Sequence, residues 1–384
     1  MPINLRNALM GGKRLPYDAE VEYLEGTGTQ WISTGVDYWA DFEITCRTVS
    51  NSTVYVIGNG SRSSLSILTG SPNATLHFGN TNRSFTRIAT EAGAWHTLRW
   101  KNDEIFVDGI FAETFAKDES IVGDVRVFGA GGSVGYPVQV SALKLWDTNG
   151  KLILDGFSVR KGTVGYLYDR VSGKLFGNAG TGDFVLGPDV VPVEWLQTDG
   201  AAYIDTGLEM ADGHEVRAEH YFKRSTTRQL MGSNGSRQYY GVSADGYVEF
   251  GLLGTSKSTV SVDEAKKYLI SYAAANRNNT GSIYDGSTLL WSSSGAYNGF
   301  SNSFEIFRLR GLTGFPFVSG NKIVTFKHLV NGAAIQNLIS VRVGTDATSW
   351  DGAMMDVLTR RIYRNAGTGA FGYGNDLKYP IPSA

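Results

Sequence analysis

The sequence contains one cysteine, few prolines and no block of basic residues, and these shortages exclude several classes of protein. Cys46 is the single cysteine among 384 residues, so the chain cannot form an internal disulfide and lacks the framework of small secreted domains. Lys and Arg total 35 against 37 Asp and Glu, with the two signs interspersed, so we expect no nucleic-acid partner. No run reaches 18 apolar residues, so we expect no insertion into a membrane.

The residues that are abundant favour strands and tight turns. Glycine occurs 48 times, roughly twice its usual share of about 7%. There are also 19 Tyr and 19 Phe, and aromatic and β-branched residues favour strands. Residues 42–47 alternate between apolar and polar side chains, which predicts a strand with Cys46 as a buried, inert thiol.

An internal repeat sets the domain organisation. Residues 21–35 read VEYLEGTGTQWISTG and residues 193–207 read VEWLQTDGAAYIDTG. A second pair follows in the same order, LFGNAGTGDF at 175–184 and IYRNAGTGAF at 362–371. Two such echoes at similar separation predict two homologous modules, over residues 21–188 and 189–384, after a leader over residues 1–20.

Each module contains about a dozen short strand patterns separated by turn signals. Asp108-Gly109, Asp285-Gly286 and Asn331-Gly332 are dipeptides typical of two-residue hairpins. Closely spaced strands of this kind predict an all-β fold of antiparallel sandwiches. The module size favours a double-sheet jelly roll over an immunoglobulin sandwich, which needs about 100 residues.

The first repeat phrase, together with VGYLYDRVSGKLFGNAGTGDF at 164–184, resembles laminin-G-like and concanavalin A-like jelly-roll proteins of gut bacteria and their bacteriophages. Module one matches over nearly its whole length. Module two matches at its ends and departs at AMMDVLTRRIY, which lacks the Ser-Gly turn. The resemblance implies the jelly-roll fold, which hosts lectins, glycosidases, adhesins and virion parts.

The opening of the chain carries a second resemblance. Residues 7–25, NALMGGKRLPYDAEVEYLE, are similar to short leaders of phage-encoded proteins of this type. The first 20 residues contain no apolar stretch of seven or more, so they do not form a secretory signal. The resemblance implies a virion protein that attaches to other virion proteins or oligomerises, as a trimer, through residues 1–20.

A search for catalytic patterns predicts no enzyme. The Glu-x-Asp-x-x-Glu strand of a retaining glucanase of this fold is absent. Glu20, Glu22 and Glu25 alternate with apolar residues, which predicts a solvated strand face. The five histidines show no zinc spacing, and there is no phosphate-binding glycine loop.

Aromatic side chains near turns are the predicted ligand-binding residues, because exposed rings stack on sugars. They are Trp39, Tyr136, Tyr239, Tyr240, Trp291, Tyr297 and Trp350. Trp31, Trp95, Trp100 and Trp146 lie in strand patterns and are predicted mostly as core.

One turn could hold a metal ion. Asp147 and Asn149, in the sequence Asp-Thr-Asn-Gly, are candidate calcium ligands at the rim of a sheet. An ordinary Asx turn is the alternative. No other cofactor is predicted.

The leading hypothesis is a non-enzymatic recognition protein that binds a cell-surface glycan or protein as a bacteriophage tail or head appendage, located in the virion. The alternative is an exported bacterial carbohydrate-binding module, extracellular or on the cell surface. A glycosidase with an unrecognised site and a purely structural role are further alternatives.

Overall fold

The segments in which apolar and polar residues alternate form β-strands. The computed structural model describes residues 15–37, 41–49, 53–59, 63–68, 73–78, 81–85, 93–114, 123–130, 133–134, 137–224, 231–233, 238–251, 255–276, 278–296, 303–307, 319–345 and 349–377. These ranges contain 36 strands and no helix. Consequently, no described helix has the length and hydropathy needed to cross a membrane.

The contacts of the chain divide it into two compact units. Unit 1 consists of Met1–Val190 with Thr359–Arg361, and unit 2 consists of Val191–Leu358 with Ile362–Ala384.

The first 19 strands lie in unit 1. They are β1 (Ala19–Val21), β2 (Leu24–Gly26), β3 (Ile32–Ser33), β4 (Asp41–Thr48), β5 (Thr53–Gly58), β6 (Ser63–Leu68), β7 (Asn73–Phe78), β8 (Thr81–Phe85), β9 (His96–Lys101), β10 (Glu104–Val107), β11 (Ile110–Thr114), β12 (Arg126–Val127), β13 (Gly129–Ala130), β14 (Ser133–Val134), β15 (Val138–Trp146), β16 (Leu152–Lys161), β17 (Val164–Asp169), β18 (Lys174–Phe176) and β19 (Val185–Leu186).

Apart from β13 and β14, which pair only with each other, these strands form a two-layer sandwich. One layer is a six-stranded sheet in the order β3-β12-β5-β6-β7-β8. In the other layer, neighbouring strands pair in the order β11-β10-β9-β4-β15, and β15 also pairs with both β2 and β16. Side chains of both layers meet in one apolar core: Ile32, Ile57 and Val127 come from the six-stranded sheet, and Phe42 and Trp100 from the other.

The other 17 strands begin at the end of unit 1. They are β20 (Asp189–Pro192), β21 (Leu196–Thr198), β22 (Ile204–Glu209), β23 (His214–Tyr221), β24 (Met231–Ser233), β25 (Gln238–Val242), β26 (Tyr247–Gly251), β27 (Thr255–Ser261), β28 (Lys267–Ala275), β29 (Asn278–Asp285), β30 (Thr288–Ala296), β31 (Ser303–Ile306), β32 (Lys322–Val330), β33 (Ala333–Gly344), β34 (Asp351–Asp356), β35 (Ile362–Tyr363) and β36 (Phe371–Tyr373).

Unit 2 has the same strand order as unit 1. Its six-stranded sheet runs β22-β31-β24-β25-β26-β27. Its other sheet runs β30-β29-β28-β23-β32, and β32 pairs with both β21 and β33. Ile204, Met231 and Ile306 from the first sheet pack with Ile270 and Phe326 from the second.

In both units the chain passes repeatedly from one sheet to the other, as in a jelly roll. In unit 1, for example, β2 and β4 belong to one layer while β3 and β5 belong to the other. The prediction of an all-β fold of antiparallel sandwiches is therefore confirmed.

The repeated Asn-Ala-Gly-Thr-Gly segment anchors a loop in unit 1. Asn178 Oδ1 accepts hydrogen bonds from the backbone N–H of Trp31 at 3.1 Å and of Gly180 at 2.8 Å, while its Nδ2 donates to the oxygen of Gly182 at 2.6 Å. A Cβ on Gly180 would overlap the backbone oxygen of Thr29. The amide and the glycine thus fix this loop against residues 29–31, which directly precede β3.

The same anchor occurs in unit 2. Asn365 Oδ1 accepts from the N–H of Tyr203 at 3.1 Å and of Gly367 at 2.8 Å, and its Nδ2 donates to the oxygen of Gly369. A Cβ on Gly367 would overlap the backbone oxygen of Ala201. The repeated segment therefore has a structural role in both units.

Two further contacts recur at equivalent positions. Arg160 makes a bidentate pair with Asp189 at 2.7 and 2.6 Å, and Arg342 makes one with Asp376 at 2.7 and 2.8 Å. Asp169 accepts from the N–H of Asp155 on the neighbouring strand β16 and of Val171 in the following turn. Asp356 accepts in the same way from Asn337 of β33 and from Leu358.

The end of the predicted leader belongs to the fold of unit 1. Glu20 lies in β1, between β16 and β20, and Tyr17 packs with Phe157 in a small apolar cluster. Arg360, which unit 1 includes, contacts the Glu20 carboxylate at 2.9 Å and lies 4.4 Å from the centre of the Phe157 ring. Residues 15–20 are therefore not a free attachment segment; residues 1–14 lie outside the described residues.

The prediction of a solvated glutamate face is wrong for two of its three residues. Glu20 and Glu22 are 7% and 5% exposed, and only Glu25 is partly accessible. Alternation predicts one buried and one solvent-exposed face, but the residues from Ala19 to Glu22 are all buried, so the chain is covered on both sides here.

Candidate ligand-binding site

An arginine lies against two aromatic rings on the outer face of unit 1. In strand β4, the side chain of Cys46 packs in the core, so that of the next residue, Arg47, points outward. Its guanidinium lies 4.8 Å from the centre of the Trp95 ring and 5.3 Å from that of Tyr23, and the two rings are 6.2 Å apart. All three side chains are partly exposed. We call Tyr23, Arg47 and Trp95 cluster 1.

A neutral side chain holds Arg47 in place. Gln139 is the cross-strand partner of both Arg47 and Glu25. Arg47 Nε donates to Gln139 Oε1, and Gln139 Nε2 donates to Glu25 Oε2 at 2.6 Å. Because Glu25 accepts from the amide nitrogen, the amide oxygen of Gln139 is directed at the guanidinium.

Unit 2 places a similar set of side chains at the equivalent position. Trp195 occupies the position of Tyr23 in the repeat, and Lys322 Nζ lies 4.0 Å from the centre of the Trp195 ring. Tyr221 is the cross-strand partner of Lys322 and follows the buried His220, so it points outward. We call Trp195, Tyr221 and Lys322 cluster 2; its members are also partly exposed.

Each cluster has one ring packed on a glycine. A Cβ on Gly187 would come within 2.8 Å of Tyr23, and a Cβ on Gly374 within 2.8 Å of the Trp195 indole. The glycines let each ring lie close to the backbone, and this packing orients the ring beneath the cation.

The two cations have no carboxylate partner among the residues that the structure describes. Within the described residues, the ion pairs do not include Arg47 or Lys322. Each cluster therefore offers a cation and aromatic surface together, which suits a ligand with an apolar face and a polar or anionic group.

A histidine–aspartate pair in unit 1 has a structural role. His96 Nδ1 lies 2.8 Å from Asp108 Oδ2, and Asp108 Oδ1 accepts from the N–H of Thr97 at 2.9 Å. Burial raises the pKa of Asp108, but hydrogen bonds from His96 and Thr97 and the Arg361 charge outweigh it, so the pKa is lowered overall. The carboxylate caps the hairpin at Asp108-Gly109.

Cys46 does not supply a nucleophile to this pair. It is the cross-strand partner of His96 and is fully buried. Burial raises its pKa to about 12, so the thiol stays protonated at neutral pH. The prediction of a buried Cys46 is confirmed.

Unit 2 contains three histidines on neighbouring strands. His328 Nε2 lies 2.9 Å from His214 Nδ1, and His220 Nε2 lies 2.6 Å from the Tyr240 hydroxyl. Burial lowers the pKa of His220 to about 3, and burial with the neighbouring His214 lowers that of His328 to about 4. Over the described residues, no group of three or more His, Cys, Asp or Glu side chains could hold a metal ion.

The structure separates the predicted ligand-binding residues. Tyr239 lies on the outer face of β25 and is partly exposed, whereas Tyr240 is 1% exposed and packs in the core. A ligand-binding role for Tyr240 is therefore excluded by its burial, since its side of the strand faces the other sheet. Trp39, Tyr136 and Tyr297 lie outside the described residues.

Two predicted tryptophans make internal contacts. Trp291 stacks on Phe250, with ring centres 5.5 Å apart and planes 17° apart. The guanidinium of Arg342 lies 3.7 Å from the centre of the Trp350 ring. The structure does not bring either of them together with Tyr239 in one site.

The candidate calcium ligands form an Asx turn. Asp147 Oδ1 accepts from the backbone N–H of Asn149 and of Lys151, each at 2.9 Å. This oxygen is engaged by two donors, which favours the alternative of an ordinary turn.

The clusters were missed because Trp95 was predicted to be a core residue. Its position beside Arg47 depends on pairing between β4 and β9, which are far apart in sequence. One signal was available: the repeat keeps an aromatic residue at Tyr23 and Trp195, just before the buried Leu24 and Leu196. An aromatic kept at an outward position of both copies indicates a surface role.

No family model matches the sequence, and no curated protein matches it. Among solved structures, the chain is similar to "Mouse laminin alpha1 chain, domains LG4-5", with 12% identity, 84% of this chain and 92% of that chain covered, and a TM-score of 0.28. It is also similar to the LG1-3 region of the laminin alpha2 chain, with 10% identity, coverage of 92% and 91%, and a TM-score of 0.28. Both the identity and the TM-score are low, so the fold is assigned from the strand order and the core.

Proposed function

We propose that this chain is a non-enzymatic recognition protein that binds a cell-surface glycan through clusters 1 and 2. The observation that carries the proposal is that equivalent positions of two units present a partly exposed aromatic ring beside a cation, although the residues differ. Unit 1 uses Tyr23, Trp95 and Arg47, and unit 2 uses Trp195 and Lys322.

Sugars fit this arrangement because they have two kinds of surface. The C–H face of a pyranose packs on an aromatic ring, and its ring substituents accept hydrogen bonds from a nearby cation. The Tyr23 and Trp95 rings lie 6.2 Å apart with planes inclined at 45°, and Arg47 lies near both. Two such sites on one chain allow multivalent attachment to a repeating polymer.

We infer a bacteriophage virion as the setting, with the protein acting as a tail or head appendage. The support is the similarity of residues 7–25 to phage leaders. Residues 1–14 would then contact other virion proteins or a second copy. Light scattering should show a trimer that becomes a monomer when these residues are removed; a monomer in both cases would favour an exported carbohydrate-binding module.

A glycan array with matched variants tests the binding function. We expect the full chain to bind a subset of bacterial surface glycans, and the double variant Trp95→Ala, Trp195→Ala to lose at least tenfold in affinity. Trp146→Ala is the control, because Trp146 also lies near a cation, Arg99 at 5.4 Å, but belongs to neither cluster. Equal loss in the control, or no glycan bound by the full chain, would contradict the proposal.

A further inference from the structure

We propose that the glycan bound by clusters 1 and 2 is acidic, with carboxylate or sulfate groups that pair with Arg47 and Lys322. This rests on the proposed function and adds the chemical class of the ligand. Both cations lie against aromatic rings and are in none of the ion pairs among the described residues, and this combination carries the inference.

Several cations of unit 1 are paired with carboxylates. Lys144 lies 3.0 Å from Glu43, and Arg170 lies 2.6 Å from Asp155. Arg47 instead contacts two rings and the neutral amide of Gln139. Neutral groups therefore position the guanidinium, and among the described residues no carboxylate is paired with it.

Gln139 links Arg47 to Glu25 through a neutral side chain. A glutamate at this position would pair with Arg47, but it would also face Glu25, which accepts from the Gln139 amide nitrogen at 2.6 Å. Because Glu25 accepts from the amide nitrogen of Gln139, the neutral amide oxygen, and not a carboxylate, lies beside the guanidinium of Arg47. Arg47 therefore keeps terminal N–H donors suited to a bidentate contact with a carboxylate or sulfate.

In cluster 2 the cation beside an aromatic ring is a lysine, Lys322. Lys267 lies 3.0 Å from Glu219, and Lys223 lies 2.7 Å from Glu264. Lys322 lies over Trp195 and is in none of the ion pairs found among the described residues. An ammonium group on an indole face can bind an anion on its other side.

The test compares polymers that differ only in charge. Polygalacturonate and its methyl ester form the carboxylate pair, and dextran sulfate and dextran form the sulfate pair. Affinity electrophoresis of the full chain would measure each dissociation constant at two salt concentrations. We expect at least tenfold tighter binding to one charged polymer than to its neutral counterpart, with weaker binding at higher salt.

Charge-matched variants separate specific pairing from general attraction. Arg47→Gln with Lys322→Gln should lose at least tenfold in affinity for the charged polymer. Lys101→Gln with Lys327→Gln is the control, because it removes the same charge from two exposed lysines outside the clusters. The control should change affinity by less than about twofold, as expected for distant surface charges.

The outcomes distinguish the two proposals. Equal loss in both double variants, or equal affinity for charged and neutral polymers, would overturn the inference of an acidic ligand. If neutral glycans bind and depend on Trp95 and Trp195 but not on Arg47 and Lys322, the recognition function stands and only the inference fails. If no glycan or charged polymer binds, both fail.

Discussion

Mild acid should destabilise unit 2 through His220 and His328, because both imidazoles are buried in the neutral form. His220 is enclosed in the core beside Tyr240, and His328 lies against His214. Burial lowers the pKa of His220 to about 3 and, together with His214, that of His328 to about 4. In the unfolded chain both histidines have an ordinary pKa of about 6.5.

The sign follows from these lowered values. Between the folded and the unfolded pKa, the unfolded state binds more protons, so the free energy of unfolding falls as pH falls. The stabilisation is fully present above pH of about 6.5 and is lost progressively toward pH of about 3 to 4. At pH 5, each histidine should cost about 2 kcal/mol relative to pH 7.5, or about 4 kcal/mol together.

Native-state hydrogen exchange on the full chain would measure this effect in each unit. After correction for intrinsic rates, amides of β23 and β32 should lose protection equivalent to about 4 kcal/mol between pH 7.5 and pH 5. The variant His328→Gln should remove about half of this pH dependence, whatever its effect on absolute stability. Unchanged protection of β23 and β32 at pH 5 would refute the reasoning, and equal loss in β4 and β15 of unit 1 would show that these histidines are not its cause.

Two more predictions concern packing. Gly367→Ala should lower the free energy of unfolding, measured by urea titration, by about 3 kcal/mol, because its Cβ would overlap the backbone oxygen of Ala201. The control Gly372→Ala, whose Cβ would have its nearest neighbour 3.8 Å away, should change this free energy little. Equal effects of the two variants would contradict the structural role of Gly367 in the loop. Cys46 should resist a thiol reagent at pH 8 in the folded chain and react within minutes in urea, because it is fully buried with a raised pKa; rapid labelling of the folded chain would show that the strand opens.

The fold class could be predicted because it depends on local patterns. Asp108 and Gly109 have φ of 51° and 79°, as a tight hairpin requires, and the dipeptide alone indicated this turn. The repeat could be predicted because its glycines and asparagines satisfy the same backbone contacts in both units, as Gly180 and Gly367 do.

The candidate site could not be predicted in the same way, because it depends on which strands are neighbours. Arg47 and Trp95 meet only through the pairing of β4 with β9, and Gln139 joins them through β15. Alternation did predict that Tyr239 and Tyr240 face opposite ways, but it could not identify the buried one. Tyr240 is in the core because the other sheet covers that face.

The loop anchor at Asn178 and Asn365 has a consequence for how this architecture can diversify. It uses backbone groups of its neighbours, so the side chains around it can change without loosening the loop. After a gene duplication, each copy could then acquire its own surface residues while retaining a common scaffold. Tyr23 with Arg47 in one copy and Trp195 with Lys322 in the other illustrate that freedom.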